Sequence, residues 1–262
     1  MQAYRVNERR RQRAIRGQVL LSDKEQRRLR RLNWRRIFIV LGVLAVIASG
    51  VLLYYSPLLR VQEVQVVGAE NSDPAQLAAL ADLDGRSMFN LPLETAERRM
   101  AQLPLVKQVK AERVFPNKVR IAVLERRPIG YWESAGQVYV IDEEGVVLEG
   151  IQPPEGALHI VELTPRGPLG PGERVDPDAV ALAQYLAVEA PARLGLTVTG
   201  LEFNPASGLT IATDAGYRVV FGDSQSLEFK LQAWQAIEQE LGRDAMTGKT
   251  LDLRFGNRPS LR

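Results

Sequence analysis

Residues 37–55 read IFIVLGVLAVIASGVLLYY and contain no charged side chain. A helix rises about 1.5 Å per residue, so this run is long enough to cross roughly 30 Å of hydrocarbon. In lipid a helix also satisfies its own backbone hydrogen bonds. The run therefore predicts a transmembrane helix, with Trp34 at one end and Tyr54 and Tyr55 at the other, where amphipathic rings favour the interface. A cleaved signal peptide, with Ala48 to Gly50 as its small-residue site, is the rival reading. Its usual basic region is short and its apolar run only about 7–15 residues. Within the span Ala45 and Ser49 are small and four apart, a spacing that lets a second helix approach.

The two sides of this run differ in charge. The chain carries +3 overall, yet residues 1–36 hold thirteen Lys and Arg against three acids, which leaves the remainder net negative. Arg30, Arg31, Arg35 and Arg36 crowd the N-terminal flank, whereas 56–59 is uncharged. The positive-inside rule then keeps the N-terminus cytoplasmic and sends the body across the membrane. The arm includes the capping box Ser22-Asp23-Lys24-Glu25 before an Arg-rich stretch, which suits a short helix in contact with anionic lipid. Such a stretch also suits nucleic acid, but no DNA- or RNA-binding module accompanies it.

Beyond the span, Val61 to Val67 is β-rich and closed by Gly68. Ser72-Asp73-Pro74 supplies a cap and a first-turn proline for a helix running to Leu83, ended by Asp84-Gly85. Leu93, Ala96, Met100 and Leu103 recur at helical spacing and predict a second helix over 93–102. Val106 to Val114 and Lys118 to Glu125 then form a hairpin around Phe115-Pro116-Asn117, with Val119, Ile121 and Val123 alternating against Arg120, Ala122 and Leu124. Strand, helix, helix, strand, strand is the order of a POTRA domain, whose helices cover one face of a small sheet.

From Ile129 onward the pattern is mostly strands: 137–141, 145–148, 158–163, 197–203, 209–213 and 217–221, with turns at Asp142 to Gly145 and Thr213 to Gly216. Two helical stripes interrupt them, Ala179, Leu182, Ala183, Leu186, Ala190 and Leu227, Leu231, Trp234, Ile237, Leu241. The last extended segments are 249–255 and 258–262. The expected class is α+β: a transmembrane helix, a β-α-α-β-β POTRA domain, and a mainly antiparallel β domain with two helices. The expected divisions are 1–36 (basic arm), 37–55 (span), 57–128 (POTRA) and 129–262 (β domain).

A basic arm, one span, "VQEVQVVG", "LPLVKQVKAERVFPNKVRIAVLERRPIGYW" and the late "LDLRF" occur in an order that resembles the FtsQ/DivIB family of bacterial division proteins. The most specific stretch is Leu103-Pro104-x-Val106, Arg113-x-x-Pro116, the strand to Glu125, and Arg126-Arg127-Pro128. The resemblance implies a single-pass inner-membrane protein at the division septum, with a cytoplasmic N-terminus and extracytoplasmic domains. It also implies a β domain that binds FtsB- and FtsL-like division proteins and a POTRA domain that meets other divisome components. An edge strand leaves backbone groups unpaired, and a partner peptide adds there as a further strand. By this reading Leu251, Leu253, Arg254 and Phe255 frame the site, and Arg258, Pro259, Ser260, Leu261 and Arg262 offer its edge. Pro259 departs from the family, since proline has no N–H and is a device that blocks edge pairing; an ordinary capped edge is the alternative.

The sequence nominates no catalytic, cofactor or metal residues and no small-molecule substrate. There is no cysteine, and His159 is the single histidine, so neither a Cys/His zinc cluster nor a His-based triad can be assembled. Thr247-Gly248-Lys249-Thr250 lacks the earlier glycine of a phosphate-binding loop, which would fall at Arg243. Asp82-Leu83-Asp84-Gly85 places its glycine two positions early for a calcium loop. Two other classes stay open: a membrane-tethered cell-wall hydrolase, using carboxylates that no motif singles out, and a POTRA protein of outer-membrane transport, against which the apolar helix argues.

Overall fold

The computed structural model describes residues 34–165, 167–255 and 258–262. The capping box at Ser22 to Glu25 lies outside them. Helix α1, Trp34–Tyr55, has a mean hydropathy of 2.7 and buries none of its apolar window. It extends the predicted span at its N-terminal end to include Trp34. The described part of one compact unit combines α1 with residues 56–61, 85–91 and 115–117; the other unit holds everything else.

The second unit opens with β1 (Glu63–Val67), α2 (Pro74–Ala81), α3 (Leu93–Met100), β2 (Val106–Val114) and β3 (Lys118–Glu125). The sheet order is β1-β3-β2, with β1 parallel to β3 and β2 antiparallel to it. The alternation in β3 is realised: Val119, Ile121 and Val123 are buried while Arg120, Ala122 and Leu124 are exposed. Leu77 and Ala81 of α2 and Ala96 and Met100 of α3 are buried on the same core. The Asp73 carboxylate accepts from the Ala75 N–H, starting α2. Asp82, in the left-handed region at φ 52°, stops α2 before the predicted Leu83, which is nevertheless fully buried.

The rest is a nine-stranded sheet. It comprises β4 (Pro128–Ser134), β5 (Gln137–Asp142), β6 (Val147–Leu148), β7 (Leu158–Glu162), β8 (Val198–Asn204), β9 (Gly208–Thr213), β10 (Arg218–Gly222), β11 (Thr250–Asp252) and β12 (Ser260–Leu261). Its order is β12-β11-β10-β9-β8-β7-β4-β5-β6. Most neighbours are antiparallel, but β4 with β7, β7 with β8 and β10 with β11 are parallel. Parallel neighbours need a crossover, and the helices provide two: α4 (Pro177–Leu194) between β7 and β8, then α5 (Leu227–Leu241) and α6 (Arg243–Met246) between β10 and β11.

Strand β4 was absent from the predicted set, and it sits between β5 and β7. Its inward positions are Gly130, Trp132 and Ser134, so the alternation that betrays a half-buried strand carries one apolar side chain only. Gly130 belongs there because a Cβ would lie 2.6 Å from the Leu158 carbonyl oxygen. The α4 stripe is buried as read from sequence. In α5 Leu231 and Trp234 are buried, whereas Leu241 is 47% exposed and Lys230 and Glu238 are buried in its place.

Between Glu125 and Pro128 the chain has only Arg126 and Arg127, and charge fastens the connection. Arg126 donates to Asp142 at 2.6 Å and Glu144 at 3.0 Å, Lys107 reaches Glu143 at 2.6 Å and Glu144 at 3.1 Å, and Arg174 reaches Glu144 at 3.2 Å. Asp142 is buried, so its pair with Arg126 is of the kind that destabilises strongly when one partner is removed.

Candidate partner-binding edge

The nine-stranded sheet has two end strands, and they are finished differently. At the β6 end the outer backbone is already occupied. Val147 N–H donates to the Glu173 carbonyl at 2.8 Å, Gly172 N–H to the Val147 carbonyl at 2.9 Å, and Val175 N–H to the Gly145 carbonyl at 2.9 Å. At the other end β12 pairs antiparallel with β11, Leu251 opposite Leu261 and Asp252 opposite Ser260. Thr250 and Arg262 exchange both backbone hydrogen bonds, at 2.9 and 3.0 Å. Antiparallel strands alternate between groups that face the partner and groups that face away. With Arg262 and Ser260 turned toward β11, the outward backbone positions are Leu261, which offers an N–H and a carbonyl, and Pro259, which offers a carbonyl alone.

Strand β11 is held from the inside. It lies parallel to β10, with Val219 opposite Leu251, and Leu253 N–H donates to the Val220 carbonyl at 2.9 Å. Leu251 and Leu253 are each 1% exposed and belong to the core, so they set the position of the edge by packing and present no surface to a partner. Burying each contributes about 1.5–3 kcal/mol. Leu261 packs partly on the same core. The surface is left to Phe255, 60% exposed, and to the exposed Arg258, Pro259 and Arg262.

Arg254 is fixed by Asp252, a residue that the sequence reading did not single out. Its Nε and Nη2 donate to the two carboxylate oxygens at 3.0 and 2.7 Å, and its backbone N–H donates to Oδ1 at 3.1 Å. The hydrogen bond to Arg254 holds the Asp252 carboxyl below its ordinary range despite burial, with help from the Arg262 charge, and Asp252 in turn raises Arg254. The guanidinium stacks 5.1 Å from the Phe255 ring centre, a cation–π contact that spends its charge locally. The sequence signal was present in Leu-Asp-Leu-Arg-Phe: an aspartate side chain readily accepts from the backbone N–H two residues on, and here that turn after β11 brings Arg254 back onto Asp252. Gly222, at φ +78°, makes room for Arg254, because a Cβ there would lie 2.9 Å from Arg254 Cγ.

A second supporting residue was also missed. Lys230, 3% exposed, donates from Nζ to the Phe221 carbonyl at 2.8 Å, the Asp223 carbonyl at 2.8 Å and Asp223 Oδ1 at 2.9 Å. It ties the end of β10 to the first turn of α5. Nothing in the α5 stripe reveals it, since a lysine between apolar positions reads as solvent-facing. His159 is no core residue: it is half exposed and meets Glu133 across the β4–β7 pair at 3.0 Å. Among the described residues no group of three or more His, Cys, Asp or Glu is placed to hold a metal ion.

Residues 59–126 match the family described as POTRA domain, FtsQ-type, and residues 130–254 match the family described as Cell division protein FtsQ/DivIB, C-terminal. The chain is 35% identical over 211 residues to the cell division protein FtsQ of Chloroflexus aggregans, covering 76% of this chain and 77% of that protein. It is 34% identical over 197 residues to the FtsQ of Chloroflexus aurantiacus, covering 74% and 72%. With the FtsQ of Mycobacteroides abscessus it shares 27% identity over 210 residues, covering 79% and 64%. The apolar helix ahead of both matched regions fits a single-pass membrane protein, and the chain belongs to the FtsQ/DivIB family of bacterial cell-division proteins.

Proposed function

We propose that this protein is a non-catalytic bitopic scaffold of the divisome, which receives a strand of an FtsB-like partner, in a complex with an FtsL-like protein, on the outer side of β12. The proposed parts are a cytoplasmic arm at 1–36, a span at 37–55, a POTRA domain at 57–128 that meets upstream division proteins, and a partner-binding β domain at 129–262. The basic flank of α1 supports an extracytoplasmic body with the arm on anionic lipid, and membership of a division family supports a place at the septum. No nucleic acid or small molecule takes part.

The observation that carries this reading is the contrast between the two ends of the sheet: β6 is covered by residues 172–175, whereas β12 ends the sheet order. Main-chain hydrogen bonds to Leu261 and the Pro259 carbonyl would give register, and Phe255 an apolar anchor. Lys249, Arg258 and Arg262 surround the edge with positive charge, which favours a partner segment bearing acidic side chains.

The test is binding of the full chain, with and without residues 258–262, to the extracytoplasmic segment of the FtsB-like protein of the same organism. Loss of binding on truncation, with the circular dichroism spectrum retained, is the expected result. Equal binding by both forms moves the site away from this edge, and binding by neither removes the partner assignment.

A further inference from the structure

Two phenylalanines stand exposed on separate segments beside the end of α1. Phe89 lies within residues 85–91 and is 53% exposed; Phe115 lies at the turn between β2 and β3 and is 59% exposed. They form a row with the end of the span. The rings of Tyr54 and Phe89 are stacked at 6.1 Å between centres, and Phe115 is a further 6.4 Å from Phe89. Tyr55 meets Tyr54 edge-on at 5.2 Å.

The row is built in, because backbone hydrogen bonds fix its segments. Met88 N–H donates to the Leu59 carbonyl at 2.9 Å, Val61 N–H to the Arg86 carbonyl at 2.9 Å, and Gly85 N–H to the Val61 carbonyl at 3.0 Å. Ser56 caps the one-turn helix Pro57–Leu59 that carries the chain from α1 to this point. Leu58 is 69% exposed and Tyr55 68%, and Leu52, Tyr55, Leu58, Leu59 and Pro116 line one continuous apolar surface. Side chains of this kind are left bare on a water-facing surface only singly, and a contiguous patch marks an interaction site.

Its depth follows from the span. A helix of the length of α1 places Tyr54 and Tyr55 at the boundary of the hydrocarbon, and the interfacial layer beyond is roughly 5–7 Å thick on each side. However α1 tilts, the Phe89 ring lies no more than 6.1 Å above or below the Tyr54 ring, within about one such layer. The patch is continuous with the surface that α1 already presents to lipid, and the exposed Arg60 and Arg86 beside it suit phospholipid phosphates.

We propose that Phe89 and Phe115, with Tyr55 and Leu58, are seated in the headgroup layer of the leaflet that receives the Tyr54 end of α1, so that a phospholipid surface is a binding partner of these loops. The proposal rests on α1 being a membrane span. It makes the membrane-side unit a platform resting on the bilayer and not a body hung from a free tether, and it sets the rotation of α1 through Phe89.

The chain has no cysteine, which permits single labels. Phe89→Cys, Phe115→Cys and Tyr55→Cys, each carrying a nitroxide, are compared in the full chain reconstituted into vesicles of phosphatidylethanolamine and phosphatidylglycerol. Collision with oxygen, which partitions into lipid, is measured against collision with a water-soluble nickel chelate. The expected result is a lipid-like oxygen-to-nickel ratio at 89 and 115, as at 55. A lipid-like ratio at 55 with water-like ratios at 89 and 115 overturns the proposal and leaves the span intact. A water-like ratio at all three removes the span itself. Labels at 89 and 115 that are immobilised and shielded from both reagents indicate cover by protein, a second copy or another membrane helix, and also overturn it.

Discussion

Lys230→Met tests whether the inner support of the edge is electrostatic. The Nζ group is buried and satisfies two backbone carbonyls and one carboxylate within 2.9 Å. Methionine preserves the stem and most of the volume, so the packing loss is small. It also avoids burying an ammonium, yet both carbonyls stay where they are. The Phe221 carbonyl is buried, and leaving it unpaired costs about 1–3 kcal/mol. The Asp223 carboxylate is 56% exposed and rehydrates, so its share is about 0–1 kcal/mol. The expected loss is about 2–3 kcal/mol, which for a body of this size lowers Tm by roughly 4–12 °C. Urea unfolding followed by tryptophan fluorescence is the assay. Trp234 is fully buried and packs edge-on against Phe221 at 5.7 Å between ring centres, so it reports the affected turn directly. A loss under about 1 kcal/mol, the range of an ordinary surface change, would refute the reasoning.

Pro259→Ala restores an N–H at an outward position of β12. If the partner adds as a strand, one further neutral hydrogen bond strengthens binding by about 0.5–1.5 kcal/mol, or roughly two- to tenfold in Kd. Titration calorimetry against the FtsB-like segment reads this, and unchanged or weaker binding argues against pairing at that position. Acid should destabilise the fold through two carboxylates. The Arg254 hydrogen bond holds Asp252 below its ordinary 3.8. Burial pushes Glu125 up, but hydrogen bonds from Ser72 and from the Asn71 and Ser72 backbone N–H groups outweigh it and leave Glu125 below its ordinary 4.5. Both groups are depressed, so each contributes stability above its ordinary value that is lost as pH falls through that value and below. Tm measured from neutral pH down to about 3 should fall below about pH 4.5, less steeply in Glu125→Gln; a Tm that rises on acidification contradicts the sign.

The elements legible in the sequence are those in which one local pattern fixes both type and face. The β2–β3 hairpin has the predicted bounds because Val119, Ile121 and Val123 alternate strictly with outward residues. The α4 stripe likewise needs no distant partner to be recognised. Features settled by distant partners were not legible. Strand β4 presents glycine, tryptophan and serine inward, because the Leu158 backbone comes too close to Gly130 for any side chain. The parallel junctions depend on which strands meet after a crossover. Lys230 is buried where its Nζ reaches the Phe221 and Asp223 carbonyls at the end of β10, and Leu241 is exposed as the last residue of α5. At the β12 end, Leu251, Leu253 and the last strand fall in the segment singled out from sequence, while the Asp252 clamp and the Gly222 clearance emerge only when β10 and β11 lie side by side.

The unequal ends of the nine-stranded sheet limit how it can grow. Residues 172–175 occupy the outer rungs of β6, so hydrogen-bonded extension there would first require peeling the chain's own backbone away. A strand that adds beside β12 meets no such cover, and its arrival turns that end into an interior position. A sheet with two open margins is divalent and can propagate into a fibre; one with a single open margin has a valence of one. A strand that added only beside β12 would therefore end in a one-to-one pair at this sheet.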